Sequence, residues 1–318
     1  MKGLSKDSAS WHEVGEDEAG QRIDNYLTKL MKGVPKSHVY RILRSGEIRV
    51  NSSRVGPEYR LRPGDRLRIP PVRVAARAPR AAPPAAGRLA AHVLYEDEVL
   101  MVLDKPAGLA VHGGSGISHG VVEELRHGRP PGVFLELVHR LDRDTSGVLL
   151  LAKKRSALTA LHEQLRNGRV QKFYLVLVKG AWRDQKRSVK LPLNKYVLAS
   201  GERRVSVSGE GVPSHTVFRL KKAWDEFSLL EAELKTGRTH QIRVHLAHLG
   251  YPIAGDDKYG DFVLNKTLAK RGLKRMFLHA CKVTIEHPRS GERMTFEAPL
   301  PPQLQSFLDR LDHDAAAL

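Results

Sequence analysis

Residues 134–153 read FLELVHRLDRDTSGVLLLAK. Two apolar runs, 134–141 and 148–153, flank a charged centre in which Arg140, Asp142, Arg143 and Asp144 fall within five residues. Both runs have the length and composition of buried strands, and the centre predicts the turn between them. Asp144-Thr145-Ser146-Gly147 suits a type I turn, with Asp first and Gly fourth, so Asp144 has a structural explanation. Asp142 has none. A carboxylate at such a strand end either pairs with a local arginine or is aimed into a cleft, and the local sequence leaves both open.

Outward from this stretch, strands are expected over 99–105, 172–180, 227–234 and 276–287. A helix is expected over 156–168, with Leu158, Leu161 and Leu165 on one face and Gly168 after its last turn. Strands and helices do not alternate regularly, which argues against a doubly wound parallel sheet and for an α+β domain on a mostly antiparallel, mixed sheet. This domain is expected over 91–318. Before it, PVRVAARAPRAAPPAAGRLA is rich in Ala and Pro and reads as a linker, taken as 73–90.

The remaining segment, 16–72, is a small basic α/β module. Residues 20–80 hold fifteen Lys and Arg against four acidic residues, in a chain of net charge +18 and pI near 10.1. Such an excess points to a polyanion, nucleic acid first. Ile23, Leu27, Leu30 and Met31 form one helical stripe. A second helix starts at Val34-Pro35-Lys36-Ser37, turns Val39, Ile42 and Leu43 inward, and ends at Gly46. EIRVNSSRV reads as a hairpin turning at Asn51-Ser52-Ser53, and Leu67 and Ile69 alternate with Arg66 and Arg68 on a further strand. Lys36, Arg41, Arg44, Arg49 and Arg54 are the candidate phosphate contacts.

Several function classes lack their motifs. No GxGxxG opens a helix after a strand, and there is no GxxxxGK[ST] loop, HExxH or GxSxG. His240 and His245 are five apart, the wrong spacing for two metal ligands on one helix face, and on a strand they point to opposite faces. Cys281 is the single cysteine, which removes internal disulfides and multi-thiolate zinc sites and suits a reducing cytoplasm. No apolar run reaches membrane-spanning length, and the N-terminus carries no signal-peptide core.

The basic segment, through RIDNYLTKLMKGVPKSHVYRILRSGEIRVN and LRPGDRLRIP, resembles the S4 RNA-binding domain. The larger domain carries LDKPAGLAVHGG, HRLDRDTSGVLLLAK, KFYLVLVKG, GRTHQIRVH and FLHA in order, and so resembles the RluA-type pseudouridine synthases. That resemblance implies an enzyme that isomerises uridine to pseudouridine in large-subunit (23S) ribosomal RNA, without metal or cofactor, as a monomer in the cytoplasm. It implies that Asp142 is the catalytic carboxylate, that Tyr174 packs on the target base and that Arg243 pairs with the carboxylate. It also implies that Arg140 enters the RNA stack vacated by the flipped uridine, and that Leu278 lines the pocket. Taken singly, Tyr174 reads as a core strand residue, Arg243 as a surface arginine and Leu278 as core. His112, His139 and His279 read as groups that satisfy backbone or phosphate, and Lys105-Pro106 as a shaper of the pocket wall. The alternative function is a non-catalytic RNA-binding factor for ribosome assembly.

Overall fold

The computed structural model describes residues 7–31, 33–72, 89–113, 120–127, 129–130 and 132–316. The expected linker therefore lies outside the described residues, save for Leu89 and Ala90.

The N-terminal module contains β1 (Ser10–Glu13), α1 (Ile23–Leu30), α2 (Lys36–Arg44), β2 (Arg49–Val50) and β3 (Arg66–Ile69). Its sheet runs β1-β3-β2 and is antiparallel throughout. The predicted stripes are its core: Ile23, Leu27 and Met31 meet Val39, Ile42 and Leu43 over Ile48, Val50, Leu67 and Ile69. Gly46 has φ +75, which suits a residue closing a helix. Two details differ from expectation. β1 lies upstream of residue 16 and completes the sheet. The expected hairpin is only a tight reversal, because Asn51 and Ser52 both have positive φ and Val50 bridges Ser53. The real partner of β2 is β3, fixed where Asn51 Oδ1 accepts from Arg66 N–H at 2.9 Å and Asn51 Nδ2 donates to Asp65 at 2.8 Å.

Among the described residues the larger domain is built on ten strands, β4 (Val93–Glu96), β5 (Leu100–Lys105), β6 (Glu136–Leu137), β7 (Ser146–Ala152), β8 (Gln171–Lys179), β9 (Lys186–Val189), β12 (Thr216–Ala223), β13 (Phe227–Leu234), β14 (Leu278–Glu286) and β15 (Arg293–Glu297). The sheet order is β4-β5-β7-β14-β8-β13-β12-β9, with β6 on β7 and β15 on β14. Among the described pairings only β7 with β14 is parallel. β10 (Leu193–Val197) and β11 (Arg203–Val207) form a separate hairpin. The helices are α3 (Val121–His127), α4 (Arg155–Arg166), α5 (Gln241–His248), α6 (Phe262–Lys270) and α7 (Pro302–Ala316). None is long and apolar enough to cross a membrane. The architecture is the expected α+β one.

β7 shows why its sequence is a continuous apolar run. Leu149 and Leu151 enter one core cluster and Val148 and Leu150 enter another, so both faces are covered. Gly147 has φ +110, and a Cβ there would run into the Ala280 carbonyl of parallel β14. Glycine is thus required by close strand approach inside β7, not by the fourth position of a turn.

The expected strand over 134–141 is cut to Glu136–Leu137. Beyond it, the Leu150 N–H is taken by Nε2 of His139 at 3.2 Å, so a side chain replaces the ladder and the backbone leaves the sheet. The turn also shifts. The Asp142 carbonyl accepts from Thr145 N–H at 3.2 Å, so the turn begins at Asp142, and Ser146-Gly147 already belong to β7.

Candidate active site

The loop carrying Asp142 is braced from three sides. Lys105, wholly buried at the end of β5, donates from Nζ to the carbonyls of Pro106, Leu109 and Arg143 at 2.8, 2.8 and 3.0 Å. Burial, and then the charge of Arg275, lowers its pKa to about 7. Gly108 N–H donates to the same Arg143 carbonyl at 2.9 Å. Arg275 Nη2 donates to the Asp144 carbonyl at 3.2 Å and to Ser146 Oγ at 2.9 Å. Ser146 Oγ lies 2.9 Å from Nδ1 of buried His279, whose Nε2 lies 3.1 Å from the Ala298 carbonyl. A carbonyl only accepts, so Nε2 carries the proton and Nδ1 accepts from Ser146. Burial pushes the His279 pKa down to about 4.

Residues 237–245, left open between strand and helix, run into α5 from Gln241 onward. Gln241 fixes its entry: Oε1 accepts from Thr236 Oγ1 and Arg238 N–H at 2.8 and 3.0 Å, and Nε2 donates to His215 O and Thr216 Oγ1. His245 points away from Asp142 and bonds Thr216 and Ser214 at 3.0 and 2.9 Å. Arg243 points toward it. Its Nη1 donates to Asp142 Oδ2 at 3.3 Å, while Nε and Nη2 donate to the two oxygens of Asp256 at 2.7 Å each. Asp256 has no exposed surface, and one of its oxygens also accepts from Lys258 and Tyr259 N–H at 2.8 and 3.0 Å. Burial alone would raise the Asp256 pKa. The Arg243 hydrogen bonds and charge, with the two N–H groups, outweigh burial and hold it below the usual carboxylate range. Arg243 is thereby a fixed cation with one nitrogen left for Asp142. His240, at the mouth of α5, places Nε2 3.8 Å from the same Asp142 oxygen.

Asp142, Arg140, Tyr174, Arg243 and Leu278 all line one cavity of about 590 Å³, so the structure brings together all five residues singled out in this domain. The Asp142 side chain is 31% exposed, open to the cavity but not to bulk solvent on every side. Tyr174 on β8 and Leu278 on β14 form apolar wall, and burial, then the charge of Asp142, raises the Tyr174 pKa. Arg140 is exposed at the rim and has no hydrogen-bond or ion-pair partner among the described residues. Lys172, Lys235 and Arg238 add positive charge to the same cavity. The carboxylate of Asp144 instead meets Arg143 at 3.3 Å, not the N–H groups of its own turn. His139 meets backbone as expected, and His112 lies 3.8 Å from Glu123. Among the described residues no cluster of His, Cys, Asp or Glu has a metal-holding arrangement.

Sequence reading passed over Asp256, Tyr259 and the site role of His240. The available signal was Gly255-Asp256-Asp257, two carboxylates directly after the apolar Ile253-Ala254, where solvated loops do not begin. Lys36, Arg41, Arg44, Arg49 and Arg54 are all exposed in the N-terminal module.

The sequence profile described as RNA pseudouridylate synthase matches residues 99–248, and that of the S4 domain matches 21–67. The chain is 56% identical to the ribosomal large subunit pseudouridine synthase C of Escherichia coli (strain K12), over 94% of this chain and 95% of that one. It is 54% identical to the protein of the same name from Pasteurella multocida (strain Pm70), over 94% and 92%. Among solved structures it resembles Human RNA Pseudouridylate Synthase Domain Containing 4, with TM-score 0.58, 26% identity and coverage of 71% of this chain and 95% of that one. Human RNA Pseudouridylate Synthase Domain Containing 1 gives TM-score 0.57, 25% identity and coverage of 74% and 98%. With identity above one half along nearly the whole length, and both profiles in place, the chain belongs to the RNA pseudouridylate synthase family and carries an N-terminal S4 domain.

Proposed function

We propose that the protein isomerises particular uridines of large-subunit (23S) ribosomal RNA to pseudouridine, with Asp142 as the catalytic carboxylate. The observation that carries this reading is the division of Arg243, two donors locked on Asp256 and one aimed at Asp142 inside the cavity. The substrate follows from the relatives, both named for the ribosomal large subunit.

The chemistry fits the groups present. The N1–C1′ bond of uridine breaks, the uracil turns, and C5 joins C1′; N1 gains a proton and C5 loses one. Atoms balance without a donor group or redox partner. Positive charge builds on the sugar as the bond breaks, and a nearby carboxylate stabilises it or attacks C1′. Arg243 orients Asp142 and favours its ionised form. Tyr174 holds the detached uracil by stacking, against Leu278. Arg140, unpaired at the rim, fills the gap left by the flipped base, an extrusion that costs a few kcal/mol. Lys36, Arg41, Arg44, Arg49 and Arg54 contribute phosphate contacts. The proposed enzyme is a monomer that acts in the cytoplasm, where a ribosomal RNA substrate is met.

The test is release of the C5 hydrogen from ribosomal RNA labelled at that position. The expected result is release matched to pseudouridine formed. Tight RNA binding with no release would leave a binding factor instead.

A further inference from the structure

Tyr259 touches both groups that face Asp142. Its ring lies beneath the Arg243 guanidinium, 5.2 Å from centroid to Cζ, and meets the His240 ring edge-on at 5.5 Å. Its hydroxyl accepts from Val205 N–H of β11 at 3.0 Å and lies 2.8 Å from Nδ1 of His240. His240 has φ +54, a backbone conformation rare outside glycine, and this reversal is what turns its Nε2 toward Asp142.

We propose that Tyr259 is a positioning residue that fixes the tautomer of His240, so that the carboxylate of Asp142 meets an imidazole N–H and not a ring lone pair. The inference rests on Asp142 being the catalytic carboxylate. Counting protons decides the tautomer. The phenol has one. Val205 N–H occupies an acceptor site on its oxygen, and among the described residues Nδ1 of His240 is the acceptor its proton reaches. Donation there leaves Nδ1 without a proton, and a neutral ring must then carry its single proton on Nε2. Burial keeps His240 toward the neutral form against the pull of Asp142. The opposite tautomer strands the phenol proton and sets a lone pair against an anion, so both ends of the ring select the same form. The 3.8 Å separation exceeds a hydrogen bond, as catalytic contacts often do before substrate binds. Arg243 supplies charge to Asp142, and His240 supplies a second, neutral direction.

The full chain labelled with ¹⁵N-histidine reads the tautomer directly, with the His240 signals assigned by their loss in His240→Gln. The wild type should show Nε2 protonated and Nδ1 bare. Tyr259→Phe should lose that signature and lower kcat for C5-hydrogen release about tenfold or more, with KM for ribosomal RNA little changed and Tm lowered only as far as the unpaired Val205 N–H requires. His240→Gln keeps a neutral N–H donor that has no tautomer, so it should retain more activity than His240→Leu. Adding Tyr259→Phe to His240→Gln should cost nothing further, because the two act through one interaction. An unchanged His240 signature and kcat in Tyr259→Phe overturns the proposal, as does a further loss on the His240→Gln background. Failure of the Asp142 reading looks different: Asp142→Asn would then match wild-type turnover, whereas the His240 tautomer is still read in the free protein.

Discussion

Arg243 reaches Asp142 across 101 residues of chain, with Nη1 3.3 Å from Oδ2, while its other edge is held by Asp256. The two edges have separable consequences. Arg243→Met leaves Asp256 buried and unpaired and should destabilise the fold by about 3–5 kcal/mol in urea unfolding. Combining it with Asp256→Asn removes the orphaned charge, so most of the stability should return. Activity should not, since the charged donor that orients Asp142 and favours its ionised form is then gone. Recovery of turnover in the double variant would show that the fork serves the fold alone.

The two aspartates of the loop should separate cleanly. Asp142 faces the cavity and Arg243, whereas among the described residues the Asp144 carboxylate meets only the neighbouring exposed guanidinium of Arg143. Asp142→Asn keeps size and polarity but not charge, and should lower turnover by about a thousandfold or more, roughly 4 kcal/mol of transition-state stabilisation. RNA affinity should persist. Asp144→Asn should stay within about tenfold of wild type, near 1.4 kcal/mol at most. Comparable losses in both variants, measured as C5-hydrogen release, would sink the assignment.

Elements with a repeating apolar pattern were legible in the sequence. α1, α2, α4, β5, β7, β8 and β13 fall where their periodicity places them. What failed to show was long-range replacement of backbone by side chain. His139 takes a ladder N–H of β7, and no local pattern announces that the strand over 134–141 must end early. Gly147 misled in the same way: DTSG suits a turn, but the glycine answers to Ala280, 133 residues later on β14. Asp142, Tyr174, Arg243 and Leu278 were found through family resemblance, since their meeting in one cavity depends on the sheet order. Asp256 and Tyr259 act through Arg243 and His240, which sequence alone does not connect.

His279 makes stability depend on pH. It is fully buried, and its pKa falls from 6.5 to about 4 on folding. The unfolded chain binds a proton there that the folded chain refuses between those values. This contribution is therefore whole above pH 6.5 and is lost as pH drops toward 4, by up to about 1.4 kcal/mol per pH unit. His279→Asn keeps an acceptor toward Ser146 and removes the titration. It should be less stable at neutral pH yet show a flatter Tm between pH 4 and 6.5. An acid limb as steep as that of wild type would remove His279 as its source.

The exposed cations of the S4 module should act on affinity and not on turnover. Lys36 and Arg54 have no ion-pair partner among the described residues, and Arg44 lies 5.8 Å over the Tyr40 ring. The Arg54 side chain crosses Gly46 just past the end of α2. Replacing Lys36, Arg44 and Arg54 with alanine removes only surface side chains, so each should change stability by no more than about 0.5 kcal/mol. Each lost phosphate contact should reduce the slope of log affinity against log salt by about 0.7 for single-stranded RNA. The triple variant should therefore bind ribosomal RNA more weakly, with the gap narrowing as salt rises, while kcat at saturating RNA stays at the wild-type value. A salt slope equal to wild type would mean that phosphates are met elsewhere, at the Arg140, Lys172 and Arg238 rim of the cavity. A fall in kcat at saturation would mean that the module helps to assemble the site around Asp142.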